Sequence, residues 1–158
     1  MPMEIFLPFD IVSFSEEETQ DCGRSLSLLL DVGSVVALRG GLGAGKTCFT
    51  KGVAAGLGVS ETVTSPTYTI ISEYEGKWAD GKKALLYHID AYRLKDDDDF
   101  AALGAEEFLY GDGVAVIEWS ERIPASIPKD AIFVDIEALE NGGRKISGRR
   151  RLVDAAKL

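Results

Sequence analysis

Residues 40–47 read Gly-Gly-Leu-Gly-Ala-Gly-Lys-Thr, a glycine, four further residues, then Gly-Lys-Thr. This octet restricts the chain more than any other stretch. In such a loop successive backbone N–H groups converge on an anion, and the N-terminus of the following helix adds positive potential. The geometry requires a buried strand before the loop and a helix after it. Both are legible: Val35-Val36-Ala37-Leu38 is an unalternating apolar run suited to a strand covered on both faces, and Lys46 to Leu57 reads as a helix closed by Gly58. Lys46 is expected to neutralise the outer phosphates from a solvent-facing position, and Thr47 to ligate Mg²⁺.

The flanking segments extend this unit into an alternating α/β chain. Ser15 followed three residues later by Glu18 predicts a capping box, opening a first helix in which Cys22, Leu26, Leu29 and Leu30 recur until Gly33. Ser65-Pro66 breaks the chain before a strand-like stretch from Tyr68 to Tyr74. Apolar runs at Leu85 to Ile89 and Val114 to Trp119 predict two more strands, and Phe100, Leu103 and Phe108 between them are expected along one side of a helix. Asn141-Gly142-Gly143 predicts a hairpin between Ala131–Ile136 and a second stretch from Arg144 to Val153. The pattern predicts a mixed, mostly parallel central sheet with a C-terminal hairpin.

With 158 residues, 46% of them hydrophobic and 27% charged, the chain is expected to form one domain, residues 1–158. No apolar run reaches the roughly 18 residues that span a bilayer, and Glu4 and Asp10 interrupt the place where a signal peptide would begin, so a cytoplasmic protein is expected. Twenty-six acidic against 17 basic residues give a net charge of −9, a field that repels polyanions. Arg144, Lys145 and Arg149 to Arg151 are the local exception, expected to solvate an edge strand or touch phosphate. Cys22, Cys48 and a lone His88 offer no zinc spacing.

A phosphate loop needs a carboxylate at the end of a neighbouring strand, and Asp90 and Glu118 both end apolar runs. Alternation along the strand puts His88 on the face of Asp90, where a hydrogen-bonded structural role is expected for it. The hydroxyl-rich segment Thr62 to Thr67 falls where nucleotide-sensing switch loops run, and Asp96 to Asp99 reads as a solvated helix start. No Asn-Lys-x-Asp guanine reader occurs, which makes adenine the default base. The stretch from Tyr92 to Gly113 holds only Arg93 as a candidate lid arginine, which argues against a small-molecule kinase. That kinase and an ATP-gated binding module with little turnover are the alternative readings. Cys48, in the first turn of the phosphate-loop helix, is expected to have a depressed pKa.

Together the phosphate loop, Ser65-Pro66-Thr67-Tyr68, His88-Ile89-Asp90-Ala91-Tyr92-Arg93-Leu94 and Ile117-Glu118-Trp119 resemble the TsaE (YjeE) family of bacterial ATPases. The resemblance runs from about Phe14 to about Arg144. It implies a P-loop NTPase-like fold, ATP and Mg²⁺ as ligands, and partnership with the TsaD and TsaB proteins in making the threonylcarbamoyladenosine modification of tRNA, with tRNA contacted indirectly at most. It assigns Gly43, Ala44, Gly45, Lys46, Thr47 and Cys48 to phosphate binding, Thr47 and Glu118 to magnesium, and Asp90 to a second acidic position. Lys46, Asp90 and Glu118 then form the catalytic set and Ser65, Pro66 and Thr67 the switch loop. Glu16 and Arg144 fall where that family contacts the nucleoside. The sequence departs from the family at Gly41, where aspartate is usual, and at Cys48, where a hydroxyl residue is common.

Overall fold

The computed structural model describes residues 4–41, 43–65 and 70–150 of the chain. The elements run β1 (Phe9–Ser13), α1 (Glu16–Ser27), β2 (Val35–Arg39), α2 (Lys46–Gly56), β3 (Ile71–Lys77), β4 (Lys83–Asp90), α3 (Asp97–Ala102), β5 (Val114–Glu118), β6 (Ile132–Ala138) and β7 (Arg144–Arg150), with short 3-10 turns after α3 and β5. All seven strands join one sheet in the order β1-β7-β6-β2-β5-β4-β3. Pairs β6/β2, β2/β5 and β5/β4 are parallel, while β1/β7, β7/β6 and β4/β3 are antiparallel. Because β1 reverses β7, which itself reverses β6, only β3 and β7 run against the other strands. The sheet is mixed and mostly parallel, with β6–β7 as the C-terminal hairpin, as expected.

The unalternating composition of β2 reflects burial on both sides. Val36 and Leu38 join a core with Cys22 and Leu26 of α1 and Phe49 and Val53 of α2, while Val35 and Ala37 join a second core with Phe100, Leu109 and Ile123. Thus α1 and α2 cover one face of the sheet, and α3 with the 3-10 turns covers the other. The two long helices touch through glycine: a Cβ on Gly52 would collide with the Gln20 carbonyl and one on Gly23 with that of Phe49. The backbone of α2, and with it the phosphate loop, is therefore held against α1.

Local signals set several boundaries. The Ser15 side chain accepts the Glu18 N–H at 3.0 Å, and Glu18 Oε1 accepts the Phe14 N–H at 2.7 Å, closing the N-terminus of α1. The Asp96 side chain accepts the Asp99 N–H at 2.9 Å and opens α3. The Asn141-Gly142-Gly143 turn closes the hairpin through the Leu139 N–H to Gly143 carbonyl bond at 2.8 Å.

Other expectations are corrected. Helix α1 stops at Ser27, and Leu28 to Leu30 follow in tighter turns bonded three residues back. Phe100 and Phe108 do not share a helix, because Gly104 at φ +68° ends the segment after α3 and Leu103 is 50% exposed. Strand β5 ends at Glu118, and Trp119 turns away at φ 60°. Strand β3 reaches Lys77 and pairs with β4, a hairpin the sequence reading did not assign. Strand β1 was not anticipated either. It pairs with β7 over Arg144 to Gly148, so Arg144 and Lys145 do not stand on an open edge, while Arg149 and Arg150 lie past that register and are bonded to the Asp135 carboxylate and the Asp130 carbonyl. Tyr68, Pro66, Thr67, Leu42 and residues from Arg151 onward lie outside the described residues. Among the described residues no helix is long and apolar enough to cross a membrane.

Candidate active site

The C-terminal ends of β2, β4 and β5 meet where the phosphate loop leaves β2, the edge at which parallel α/β sheets place ligands. The loop geometry depends on glycine. Gly40 (φ +153°) leaves no room for a Cβ beside the Ile136 carbonyl of β6, and Gly43 and Gly45 take φ +73° and +111°. Gly43 meets nothing within 4 Å of its missing Cβ, so the loop crest is open. Gly41 meets nothing either, so a side chain at this position would find room for its Cβ.

Lys46 departs from expectation. It is 5% exposed rather than solvent-facing, and its ammonium donates to the Gly40 and Gly41 carbonyls at 2.7 and 2.8 Å, 4.1 Å from the centre of the Trp119 ring. Burial lowers its pKa, opposed by Glu118, Glu121 and Asp90. The lysine therefore also braces the loop, because its stem is packed as α2 begins.

In the register of β4 and β5, Asp90 and Glu118 are direct neighbours. Glu118 is 4% exposed, and its Oε2 lies 3.0 Å from Thr47 Oγ1 and 2.5 Å from His88 Nε2. Thr47 Oγ1 is also 2.6 Å from Ser65 Oγ, so the last described residue of the Thr62 to Thr67 segment reaches the loop. Asp90 accepts the Tyr92 N–H at 3.0 Å through Oδ1. Gly43 to Cys48, Ser65, Asp90, Tyr92, Glu118 and Trp119 line a cavity of about 370 Å³. The structure thus brings Lys46, Thr47, Ser65, Asp90 and Glu118 together.

A second cavity of about 330 Å³ lies beside the loop, lined by Ser13, Phe14, Ser15, Glu16, Thr19, Gly43, Gly45, Cys48, Gly142 and Arg144. Glu16 and Arg144 therefore share one groove, and Arg144 donates to the Gly43 carbonyl at 3.2 Å. Sequence reasoning missed Phe14, 62% exposed on this groove, together with buried Ser13 and Thr19, whose hydroxyls lie 2.7 Å apart. Only the capping box next to Phe14 hinted at them.

Cys48 lines both cavities, but its thiol is not activated. Burial raises its pKa, and its Sγ donates to the Glu16 carbonyl at 3.3 Å. The expected depression is overturned because desolvation outweighs Lys51, Arg144 and the Gln20 hydrogen bond. Cys48 is then expected to alkylate slowly at pH 7 and faster as pH rises, whereas fully buried Cys22, pushed up to about 12, stays inert until the chain unfolds. Mass-spectrometric alkylation rates from pH 7 to 9 check this; a Cys48 already at full reactivity at pH 7 contradicts it.

The residues fit a magnesium ion that arrives on phosphates. Such an ion needs one or two protein oxygens and keeps several waters, and Thr47 and Glu118 offer an adjoining hydroxyl and carboxylate. Among the described residues no group of three or more His, Cys, Asp or Glu side chains forms a cage for a metal.

A glycine-rich loop between a doubly buried parallel strand and a helix, with a carboxylate at the end of the adjoining strand, defines a P-loop NTPase-like protein. The chain belongs to the TsaE family: residues 13–146 match the family described as threonylcarbamoyl adenosine biosynthesis protein TsaE. Similar proteins include the tRNA threonylcarbamoyladenosine biosynthesis protein TsaE of Treponema pallidum, 45% identical over 136 residues that cover 86% of this chain and 96% of that protein. The protein of the same name from Bacillus subtilis is 40% identical over 131 residues, 83% of this chain and 78% of that protein. The crystal structure of Bacillus subtilis YdiB superimposes with a TM-score of 0.75 at 31% identity, covering 95% of this chain and 90% of that one. The family places the chain in tRNA threonylcarbamoyladenosine biosynthesis.

Proposed function

We propose that this protein is a Mg²⁺-dependent ATPase of the cytoplasm whose nucleotide state regulates the TsaD and TsaB proteins during the tRNA modification. The observation that carries the reading is the pair of cavities meeting at Gly43, Gly45 and Cys48. One side suits a nucleoside, with the Phe14 ring for a base and Glu16 and Arg144 for polar contacts. The other suits the outer phosphates, with the loop amides, Lys46 and two carboxylates.

The residues then divide the work. Loop N–H groups hold the phosphates, and Lys46 exchanges its carbonyl partners for phosphate oxygens and neutralises developing charge. Thr47 and Glu118 hold Mg²⁺, which when bound neutralises charge on the phosphate oxygens. Asp90, whose Oδ1 accepts the Tyr92 N–H, would orient the attacking water. Ser65, bonded to Thr47, lets the switch segment follow the occupancy of the site. The acidic surface keeps tRNA contact indirect.

Turnover by the isolated chain is expected to be slow and to rise on adding TsaD and TsaB. Among the described residues no arginine lines the phosphate cavity, and Arg122 lies over the Tyr92 ring with its guanidinium carbon 5.1 Å from the centroid, which leaves room for a partner to complete the charge. Phosphate release measured with and without the partners, beside a screen for phosphorylated small acceptors, tests the reading. Fast, partner-insensitive hydrolysis would contradict the regulatory role, and a phosphorylated acceptor would favour a kinase.

A further inference from the structure

His88 is fully buried in β4, yet among the described residues it makes only one hydrogen bond, Nε2 to Glu118 Oε2 at 2.5 Å. Its other ring nitrogen, Nδ1, is buried with no hydrogen-bond partner among the described residues. A residue kept only to fill the core would not carry this cost, since an apolar side chain packs there without stranding a polar atom. The one bond that His88 makes is directed at the carboxylate facing Thr47. From there the chain of contacts continues to Thr47 Oγ1 at 3.0 Å and on to Ser65 Oγ at 2.6 Å.

We propose that His88 is a positioning residue: its Nε2–H holds the Glu118 carboxylate against Thr47, so that the magnesium site is set before the ion arrives. This rests on the reading of Thr47 and Glu118 as that site. An ionised carboxylate only accepts, so a neutral ring that meets it carries its hydrogen on Nε2 and its lone pair on Nδ1. That tautomer leaves a buried acceptor rather than a buried donor unpaired, the more commonly tolerated of the two. Hydrogen bonds to a ligand from outside the coordination sphere fix its orientation, and their loss typically costs about 10- to 100-fold in metal affinity or activity.

The test is calorimetric ADP affinity with and without Mg²⁺ for the parent, His88→Gln and His88→Asn. Glutamine carries its amide nitrogen about as far along the side chain as Nε2, whereas asparagine stops near the position of Nδ1. The parent is expected to bind ADP more tightly with Mg²⁺, the glutamine variant to keep that gain within about threefold, and the asparagine variant to lose about 10-fold or more of it. Metal-free ADP affinity should stay level across the three. An asparagine variant with the full Mg²⁺ gain removes the role of His88 alone, as does a loss of metal-free affinity equal to the loss with Mg²⁺. A parent indifferent to Mg²⁺ removes the magnesium-site reading and the role of His88 with it. Should the asparagine variant not fold, the parent still decides: His88 is the only histidine in the chain, so its ¹⁵N ring signals are unambiguous. Hydrogen on Nε2 and a response to Mg²⁺ with ADP support the role, and hydrogen on Nδ1 alone overturns it.

Discussion

Lys46→Met is expected to weaken ATP binding by about 100-fold while leaving the chain folded, and Lys46→Ala to weaken it as much and lower the melting temperature as well. A charge-assisted hydrogen bond contributes about 1.5–3 kcal/mol, so losing the ammonium from bound phosphate predicts roughly that factor. The two variants differ because Lys46 is 5% exposed, with its ammonium on two loop carbonyls and near the Trp119 ring. Methionine keeps most of the buried stem, whereas alanine leaves a hole beside the indole. Calorimetry at matched Mg²⁺, together with thermal melts, checks both. Parental ATP affinity in Lys46→Met would contradict the assigned role, and identical melts for the two variants would contradict the packing role of the buried stem.

Glu118→Gln is expected to lower partner-stimulated turnover by about 10²- to 10³-fold with less than a tenfold change in metal-free ADP affinity. The magnitude follows other single losses of preorganised electrostatic stabilisation. The separation follows from geometry, because the loop amides and Lys46 still hold the phosphates. Glutamine retains the volume of a residue that is 4% exposed and can still accept from His88 and Thr47, so a loss of turnover reports the missing charge rather than a collapsed site. Phosphate release against Mg²⁺ concentration measures it. Full turnover in the variant would place the metal on another residue.

Much of the site was legible because its chemistry is written in contiguous spacing. The octet at 40–47 and its flanking runs predicted strand, loop and helix, and the two apolar runs ending in Asp90 and Glu118 offered carboxylates of the required kind. The environment of those groups was not legible. Cys48 shows why: position in the first turn of a helix argued for a thiolate, but burial against α1, and after it the charge of Glu16, raise its pKa. Lys46 shows the same, since the motif specifies a lysine but not the indole beside it. Trp119 takes that place only because the chain leaves β5 at φ 60°.

By itself the sequence determined the local elements: the phosphate loop, the capped start of α1, the hairpin at Asn141-Gly142-Gly143 and the double burial of β2. Each depends on residues a few positions apart, where backbone sterics and side-chain capping act without knowledge of the rest of the chain. Tertiary structure alone decided the neighbours. Glu118 meets Thr47 across 71 residues and Arg144 meets Gly43 across 101, because β5 lies between β2 and β4 and the C-terminal hairpin folds back beside the loop. Strand β1 joins the sheet at β7, and so brings Ser13 and Phe14 to the groove beside the loop. Periodicity tells which face of a strand is apolar, but the order of strands is set by which faces cover one another, an energy that exists only once the sheet is assembled.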